Sequence, residues 1–114
     1  MSFVCIVDDD ASVRSGLGNL LKAVGYTTVS FSSGEDFLAS PVVDDALCVL
    51  LDVQRRLNAE HRRVPIVFMS AHGDDDTVQR AMRQGAVGFL RKPFAEEMLL
   101  DSIELAIGRK GAAN

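Results

Sequence analysis

The stretch Leu47-Cys48-Val49-Leu50-Leu51-Asp52 is an apolar run that ends abruptly on a carboxylate. Five consecutive apolar residues are too few to span a membrane, and they are typical of a strand buried on both faces of a parallel sheet. Asp52 then lies at the carboxyl end of its strand, which is the edge where open α/β sheets bind ligands. The run therefore predicts a parallel α/β sheet and marks Asp52 as the first candidate functional residue.

Three other short apolar runs also end on polar or charged residues. They are Phe3–Val7 before Asp8-Asp9-Asp10, Ile66–Met69 before Ser70, and Val87–Leu90 before Arg91-Lys92-Pro93. Because the carboxyl ends of parallel strands meet at one edge of the sheet, we expect the acids, the hydroxyl and the lysine to converge there with Asp52.

Length and composition favour one globular domain. The chain has 114 residues, 47% of them hydrophobic and 25% charged, with a net charge of −4 that argues against direct binding of nucleic acid. The sequence has no apolar run near the ~20 residues of a membrane span and no signal peptide at its start, which favours a cytoplasmic protein. Cys5 and Cys48 fall within apolar strands and are expected to be reduced, buried thiols.

The chain alternates predicted strands with predicted helices. The strands are Phe3–Val7, Tyr26–Phe31 (more polar, and so suited to a sheet edge), Ala46–Leu51, Val64–Met69 and Val87–Leu90. Five such units predict one doubly wound sheet with helices on both faces. We expect residues 1–114 to form a single domain with no output domain.

Five helices are predicted between and after these strands. The first covers residues 11–24, with Val13, Leu17, Leu20, Leu21 and Val24 inward and Gly25 as its stop. A short second helix follows a capping box of Ser32 and Glu35, and Pro41 ends it. The others are a basic stretch at Gln54–His61, a helix capped by Asp74 and ended by Gly85, and a final helix at Ala95–Ile107 with Leu99, Ile103, Ala106 and Ile107 inward.

Four blocks of this sequence, taken together and in this order, resemble a known family. They are Val7-Asp8-Asp9-Asp10, Leu51-Asp52-Val53, Phe68-Met69-Ser70-Ala71-His72-Gly73-Asp74 and Gly85-Ala86-Val87-Gly88-Phe89-Leu90-Arg91-Lys92-Pro93-Phe94. The chain is similar over its whole length to the receiver domain of two-component response regulators, of the FixJ-type (NarL/FixJ-like) subfamily. That resemblance implies the flavodoxin-like, CheY-like fold, whose five parallel strands have the order 2-1-3-4-5.

The side chains expected at the carboxyl edge of the sheet, which we call the rim, are Asp8, Asp9, Asp52, Ser70 and Lys92. Together they suit phosphoryl transfer. A carboxylate can attack a phosphoryl group, but its charge repels an incoming anion, so a cation must intervene. Asp8, Asp9 and Asp52 offer the oxygen ligands that Mg²⁺ prefers. Lys92 adds a positive charge that can reach a phosphoryl oxygen or pair with Asp52. We assign Asp10 to the start of the following helix, not to metal binding.

The resemblance implies a role for each matching residue. Asp52 would be the phosphoacceptor, with Asp8 and Asp9 beside it on Mg²⁺, Ser70 the switch hydroxyl, Phe89 the aromatic switch residue, Lys92 the family's functional lysine, and Pro93 the residue after a cis peptide bond. A histidine kinase would be the partner, and phosphorylation would favour a homodimer through the fourth helix, fifth strand and fifth helix. Such a domain catalyses only its own phosphorylation and dephosphorylation and binds no membrane.

Two other functions are compatible with parts of the sequence. A Mg²⁺-dependent phosphohydrolase with an aspartyl-phosphate intermediate usually has a second acid two residues after its nucleophile, where this chain has Gln54. Gln54 cannot donate an acidic proton, which disfavours the hydrolase. A pseudo-receiver that only binds partners is disfavoured because the metal, acceptor and lysine positions are all filled.

The chain departs from the family after Asp52, where about ten residues of a Met-Pro-Gly-bearing loop and the first turn of a helix are absent between Val53 and Leu57. A crossover that returns the full ~17 Å length of a strand needs a path well above 30 Å, whereas residues 53–63, mostly helical, reach ~22 Å. We therefore predict that the printed sequence omits a mobile loop between Asp52 and Leu57. The alternative is a true deletion, with an extended strap in place of the third helix.

Overall fold

The computed structural model describes residues 3–40, 45–52, 65–70, 79, 83, 87–92 and 94–112. The described strands are β1 (Phe3–Val7), β2 (Thr27–Phe31), β3 (Cys48–Asp52), β4 (Ile66–Ser70) and β5 (Gly88–Arg91), and the helices are α1 (Ala11–Ala23), α2 (Gly34–Ala39) and α3 (Glu96–Ala112). The strands form one parallel sheet in the order β2-β1-β3-β4-β5, which confirms the predicted fold.

The apolar content of each strand matches its place in the sheet. Every residue of β1, β3 and β4 is buried, because these three central strands have neighbours on both sides and are covered on both faces. The polar strand β2 lies at one edge, as predicted, and β5 lies at the other. The central strands therefore hold the residues at their carboxyl ends on a rigid frame.

Helix α1 begins where the sequence predicts and ends at Ala23, one residue before the predicted end. The Asp10 side chain caps it by accepting hydrogen bonds from the backbone N–H groups of Ser12 and Val13, which confirms that Asp10 serves helix entry. Gly25 follows the helix with a φ of +99°, a backbone conformation that residues other than glycine rarely adopt. The prediction that Val24 faces inward is wrong. Val24 is 46% exposed, because it is the C-cap residue and no longer follows the helical face.

The other two helices differ from prediction at their ends. The cap of α2 is Ser33, whose hydroxyl oxygen accepts from the Asp36 backbone N–H, so the predicted capping box of Ser32 and Glu35 is one residue out of place. Helix α3 runs to Ala112, five residues beyond the predicted end. Its predicted inner face is confirmed by the buried side chains Leu99, Ile103 and Ala106, with Ile107 half-buried beside them.

The two cysteines lie on opposite faces of the sheet. Cys5 belongs to the core that contains Phe37 and Phe68, whereas Cys48 belongs to the core beneath α1 and α3. Both are free and buried, as predicted. Alternation along neighbouring strands explains the separation, because Cys48 pairs with Val4 and not with Cys5.

We expect both thiols to resist alkylation in the folded protein. Burial raises the pKa of the Cys5 thiol to about 11, so hardly any reactive thiolate forms at pH 8, and access is closed as well. Intact-mass analysis after iodoacetamide treatment should show no adduct in buffer and two adducts in denaturant. Rapid labelling in buffer would contradict the buried placement of these strands.

The register between β3 and β4 corrects the estimate made for the crossover after Asp52. Ile66 pairs with Val49, and Asp52 pairs with Met69, so the chain must return by only three residues, or ~10 Å. With ~10 Å out to the helix layer and ~10 Å back, the path is about 30 Å, whereas twelve extended residues reach about 40 Å. Chain length therefore does not require an omitted loop, and a true deletion can be accommodated.

Several predictions fall outside the described residues. These are the omitted loop between Asp52 and Leu57, the helix at Gln54–His61, and most of the helix between Asp74 and Gly85. In that last segment Gln79 and Arg83 are described, and both are helical and exposed. Within the described part of the chain, we find no helix with the length and apolarity required to cross a membrane.

Candidate functional site

Two neighbouring strands bring Asp8 and Asp52 together. Strands β1 and β3 are paired side by side, with Val7 opposite Leu51. Asp8 directly follows Val7, and Asp52 is the last residue of β3. Both carboxylates are buried at the carboxyl edge of the sheet, where the sequence predicted them.

The turn from β1 to α1 holds Asp8 through its backbone and its side chain. The backbone N–H of Asp8 donates to the carbonyl oxygen of Phe31 over 3.2 Å, which extends the pairing of β1 with β2 by one residue. Asp8 Oδ1 accepts from the backbone N–H of Asp10 over 2.9 Å. Asp9 is exposed between these two residues. The local sequence therefore fixes Asp8 inside the rim and leaves Asp9 at the solvent side.

Lys92 joins the two buried carboxylates. Its Nζ lies 2.7 Å from Asp8 Oδ2 and 2.9 Å from Asp52 Oδ1. Its backbone N–H donates to the carbonyl oxygen of Ser70 over 2.8 Å, so pairing along β4 and β5 continues up to Lys92. The pair with Asp52 was predicted; the contact with Asp8 was not. One ammonium group thus offsets part of the charge of two buried acids.

The surroundings of the site raise the pKa of both Asp52 and Lys92. Burial raises the pKa of Asp52, the Lys92 hydrogen bond offsets part of that rise, and the nearby charge of Asp8 adds to it. Burial disfavours the charged form of Lys92, but its hydrogen bonds to Asp8 and Asp52, together with the negative charges of these two acids, outweigh burial and raise the Lys92 pKa. The site therefore holds a protonated lysine whose charge only partly compensates the buried Asp52 carboxylate.

Three carboxylates of the rim are grouped closely enough to share a metal ion. One oxygen from each of Asp8, Asp9 and Asp52 lies within 4.8 Å of the others. Carboxylate oxygens are hard donors, and this set suits a small divalent cation such as Mg²⁺ better than a metal that prefers sulfur or imidazole. The residues present fit the implied cation.

The remaining predicted site residues lie at different depths. Ser70 ends β4 and is buried beside the rim, with its carbonyl oxygen bonded to Lys92. Phe89 lies opposite Phe68 in the sheet and packs half-buried against the core of that face, so it is not part of the rim. Pro93 is outside the described residues, and its cis bond stays a prediction.

Arg14 is a rim residue that sequence analysis missed. Its Nη1 donates to the backbone carbonyl oxygen of Asp8 over 2.6 Å. The available signal was a basic residue four positions into a helix, near the end where the helix dipole disfavours positive charge. Such a residue needs a local acceptor or a nearby anion, and both are present here.

Comparisons with known proteins identify the family of this chain. The family model described as the response regulator receiver domain matches residues 4–104. Nodulation protein W of Bradyrhizobium diazoefficiens is 38% identical over 118 positions, covering 95% of this chain and 52% of that protein. The transcriptional regulatory protein FixJ of the same organism is 34% identical, covering 91% of this chain and 56% of that protein.

The alignment with nodulation protein W also bears on chain length. It runs over 118 positions, whereas 95% of these 114 residues is about 108, so about ten positions of the relative have no counterpart here. This number agrees with the shortfall that the sequence suggested after Val53. The chain spans about half the length of the curated relatives named here.

Solved structures show the same architecture. The response regulator StyR superimposes with a TM-score of 0.84 at 36% identity, over 98% of this chain and 62% of that one. The structure titled FixJ-N superimposes with a TM-score of 0.80 at 28% identity, over 95% of this chain and 94% of that one. With the family match and the rim of Asp8, Asp52 and Lys92, these likenesses show that the chain belongs to the response regulator receiver domain family, which serves two-component signalling with histidine kinases.

Proposed function

We propose that Asp52 accepts a phosphoryl group from a histidine kinase. The observation that carries this proposal is the buried Asp52 carboxylate at the end of β3, one oxygen of which lies 2.9 Å from the Lys92 ammonium. With Asp8 and Asp9, Asp52 forms a group of carboxylates close enough to share a metal ion. An oxygen of Asp52 forms a bond to phosphorus while the donor's bond to that phosphorus breaks. Labelling of the wild-type protein and of Asp52→Asn with a small phosphodonor tests this assignment.

In this proposal Asp8, Asp9 and Asp52 would hold Mg²⁺. The ion supplies positive charge that lets an anionic donor approach the carboxylates and that stabilises the transferring phosphoryl group. Lys92 already lies between Asp8 and Asp52. Its ammonium can donate a hydrogen bond to an oxygen of a phosphoryl group on Asp52. The domain catalyses only its own phosphorylation and dephosphorylation, and the hydrolase stays disfavoured by Gln54.

We assign Ser70 and Phe89 to the switch that reports phosphorylation. Ser70 is buried at the end of β4, next to the strand that carries Asp52, so its hydroxyl can move toward a phosphoryl group. Phe89 packs half-buried against the core of its face and can turn inward when Ser70 moves. The coupling then passes from the rim to β5 and the neighbouring helix.

A second copy of this chain is the partner that suits the altered face. Met98 and Leu105 of α3 are 55% and 58% exposed, and they lie seven residues apart on one helical face. Ser102 lies between them, and a Cβ placed on Gly88 of β5 would be 3.9 Å from its hydroxyl oxygen. This apolar stripe thus borders β5, within the predicted interface of fourth helix, fifth strand and last helix.

We expect Ser70→Ala to uncouple phosphorylation from self-association. The variant keeps Asp52, the three acids and Lys92, so it should still incorporate a phosphoryl group. Without the hydroxyl, the ~1–3 kcal/mol of coupling typical of such switches should be lost, and the phosphorylated variant should remain monomeric in analytical ultracentrifugation. Dimerisation equal to that of the phosphorylated wild type would exclude Ser70 as the switch.

The wider setting is also a proposal. This chain covers only 51% and 56% of two transcriptional regulatory proteins that it matches, and we propose that residues 1–114 act as one receiver domain in transcription control. The net charge of −4 fits a domain that does not itself bind nucleic acid. A cytoplasmic location fits a partner of histidine kinases.

A further inference from the structure

Arg14 contacts the turn between β1 and α1 at a backbone oxygen and not at a carboxylate. It is the fourth residue of α1 and is half-buried, and its side chain reaches back toward the start of the helix, as helical side chains do. Its Nη1 donates to the carbonyl oxygen of Asp8 over 2.6 Å. This contact joins α1 to the peptide group between Asp8 and Asp9.

Stabilisation of the helix does not explain this arginine. A positive charge near the start of a helix opposes the helix dipole, whereas Lys22 in the last turn of α1 is placed where the dipole favours it. What favours Arg14 at its position is the Asp8 carbonyl oxygen and the negative charge of the rim. The residue therefore belongs to the site and not to the helix alone.

The Asp8 peptide group controls where Asp9 points. Asp8 is held through its backbone N–H by Phe31 and through its carboxylate by Asp10 and Lys92, whereas Asp9 is exposed. Because a peptide group is planar, fixing the Asp8 carbonyl also fixes the N–H and the direction of the chain at Asp9. Arg14 is the side chain that supplies this constraint.

We infer that Arg14 is a positioning residue, which locks the Asp8–Asp9 peptide so that both carboxylates are arranged for Mg²⁺ before it binds. The inference rests on the proposed metal site and adds the residue that sets its affinity. Residues that orient metal ligands typically change affinity by 10–100-fold when removed. The hydrogen bond, more than the charge of the arginine, is the feature that does the positioning.

The test compares Arg14→Met, Arg14→Lys and Lys22→Met. Arg14→Met keeps the aliphatic stem but removes the donor; Arg14→Lys keeps the charge without the guanidinium geometry; Lys22→Met makes the same charge change on the same helix, away from the rim. Without metal, amide hydrogen exchange at Asp9 and Asp10 should accelerate in Arg14→Met and not in Lys22→Met. In a MgCl₂ titration followed by amide resonances, Arg14→Met should bind roughly tenfold more weakly, Arg14→Lys nearly as weakly, and Lys22→Met like the wild type.

The outcomes separate this inference from the proposed function. Unchanged exchange and unchanged Mg²⁺ affinity in Arg14→Met would overturn the inference while leaving the metal site intact. Full affinity in Arg14→Lys would overturn the claim that hydrogen-bond geometry matters more than charge. If the amide resonances of the wild type do not respond to MgCl₂, the metal site itself is contradicted. The predicted effect of Arg14 on Mg²⁺ affinity is then contradicted as well. Urea unfolding of each variant shows whether a loss of affinity follows local change or general instability.

Discussion

Asp52→Asn is expected to abolish incorporation of a phosphoryl group. In acetyl phosphate with MgCl₂, the wild type should gain the mass of one phosphoryl group, because the proposed nucleophile is the buried Asp52 carboxylate beside Lys92. The amide of Asn has nearly the same shape but is not nucleophilic, so the variant should stay at its starting mass. Chelation of the metal should suppress labelling of the wild type, since Lys92 offsets only part of the charge of the three carboxylates, and the rest repels the donor.

Asp10→Asn provides the matched control for this experiment. Asp10 belongs to the same acidic run, but its side chain caps α1, a task that Asn performs equally well. The control therefore removes one negative charge near the rim without removing the acceptor, and it should be labelled like the wild type. Equal labelling of Asp52→Asn and wild type would show that another group accepts the phosphoryl group.

Lys92→Met is expected to lower the free energy of unfolding substantially at pH 7. The Asp8 and Asp52 side chains are 0% and 5% exposed, and the change removes the cation that contacts both. Removing one partner of a fully buried ion pair costs ~3–5 kcal/mol; Lys92 is 20% exposed, so a loss of about 2 kcal/mol is expected. Urea unfolding followed by far-UV circular dichroism measures it.

The loss should depend on pH in a defined direction. Burial raises the pKa of Asp52 even with Lys92 present, and loss of the ammonium must raise it further. A carboxyl whose pKa is raised by folding destabilises the folded state above that pKa, and the penalty disappears below the unfolded value near ~4. The difference between variant and wild type should therefore shrink as the pH falls from 7 toward ~4.

Lys22→Met is the control for Lys92→Met. It removes one positive charge from an exposed position in the last turn of α1, where only a weak dipole contact is lost. Its effect on unfolding should be a few tenths of a kcal/mol and nearly independent of pH between 4 and 7. A pH-independent loss in Lys92→Met would indicate that packing, not charge, connects Lys92 to stability.

The sequence predicted the sheet and most of the rim because both depend on short, unambiguous patterns. Strand β1 was predicted with its observed bounds, since its apolar run is interrupted at once by Asp8. Once strand ends are known, a parallel sheet places Asp8, Asp52 and Lys92 at one edge without further information. These residues converge because of the sheet topology, and the alternation of strands and helices in the sequence is enough to predict that topology.

The features that were wrong or missed depend on exact geometry. Ser32 and Ser33 are equally good capping residues in sequence, and only the backbone shows that Ser33 accepts from Asp36. The crossover after Asp52 was misjudged because register between β3 and β4 cannot be read from two apolar runs. The contacts of Lys92 with Asp8 and of Arg14 with the Asp8 carbonyl require side-chain placement across elements.

The register of β3 with β4 also affects how the chain folds. Val49 and Ile66 are 17 positions apart, the smallest separation among the four strand pairs, whereas β1 and β3 pair residues 44 positions apart. If the connection after Asp52 were ten residues longer, that separation would be 27, and closing the loop would cost roughly 0.4 kcal/mol more in chain entropy. The pair of strands that carries Asp52 and Ser70 is thus the most local part of the sheet, the kind of contact that forms early and speeds folding.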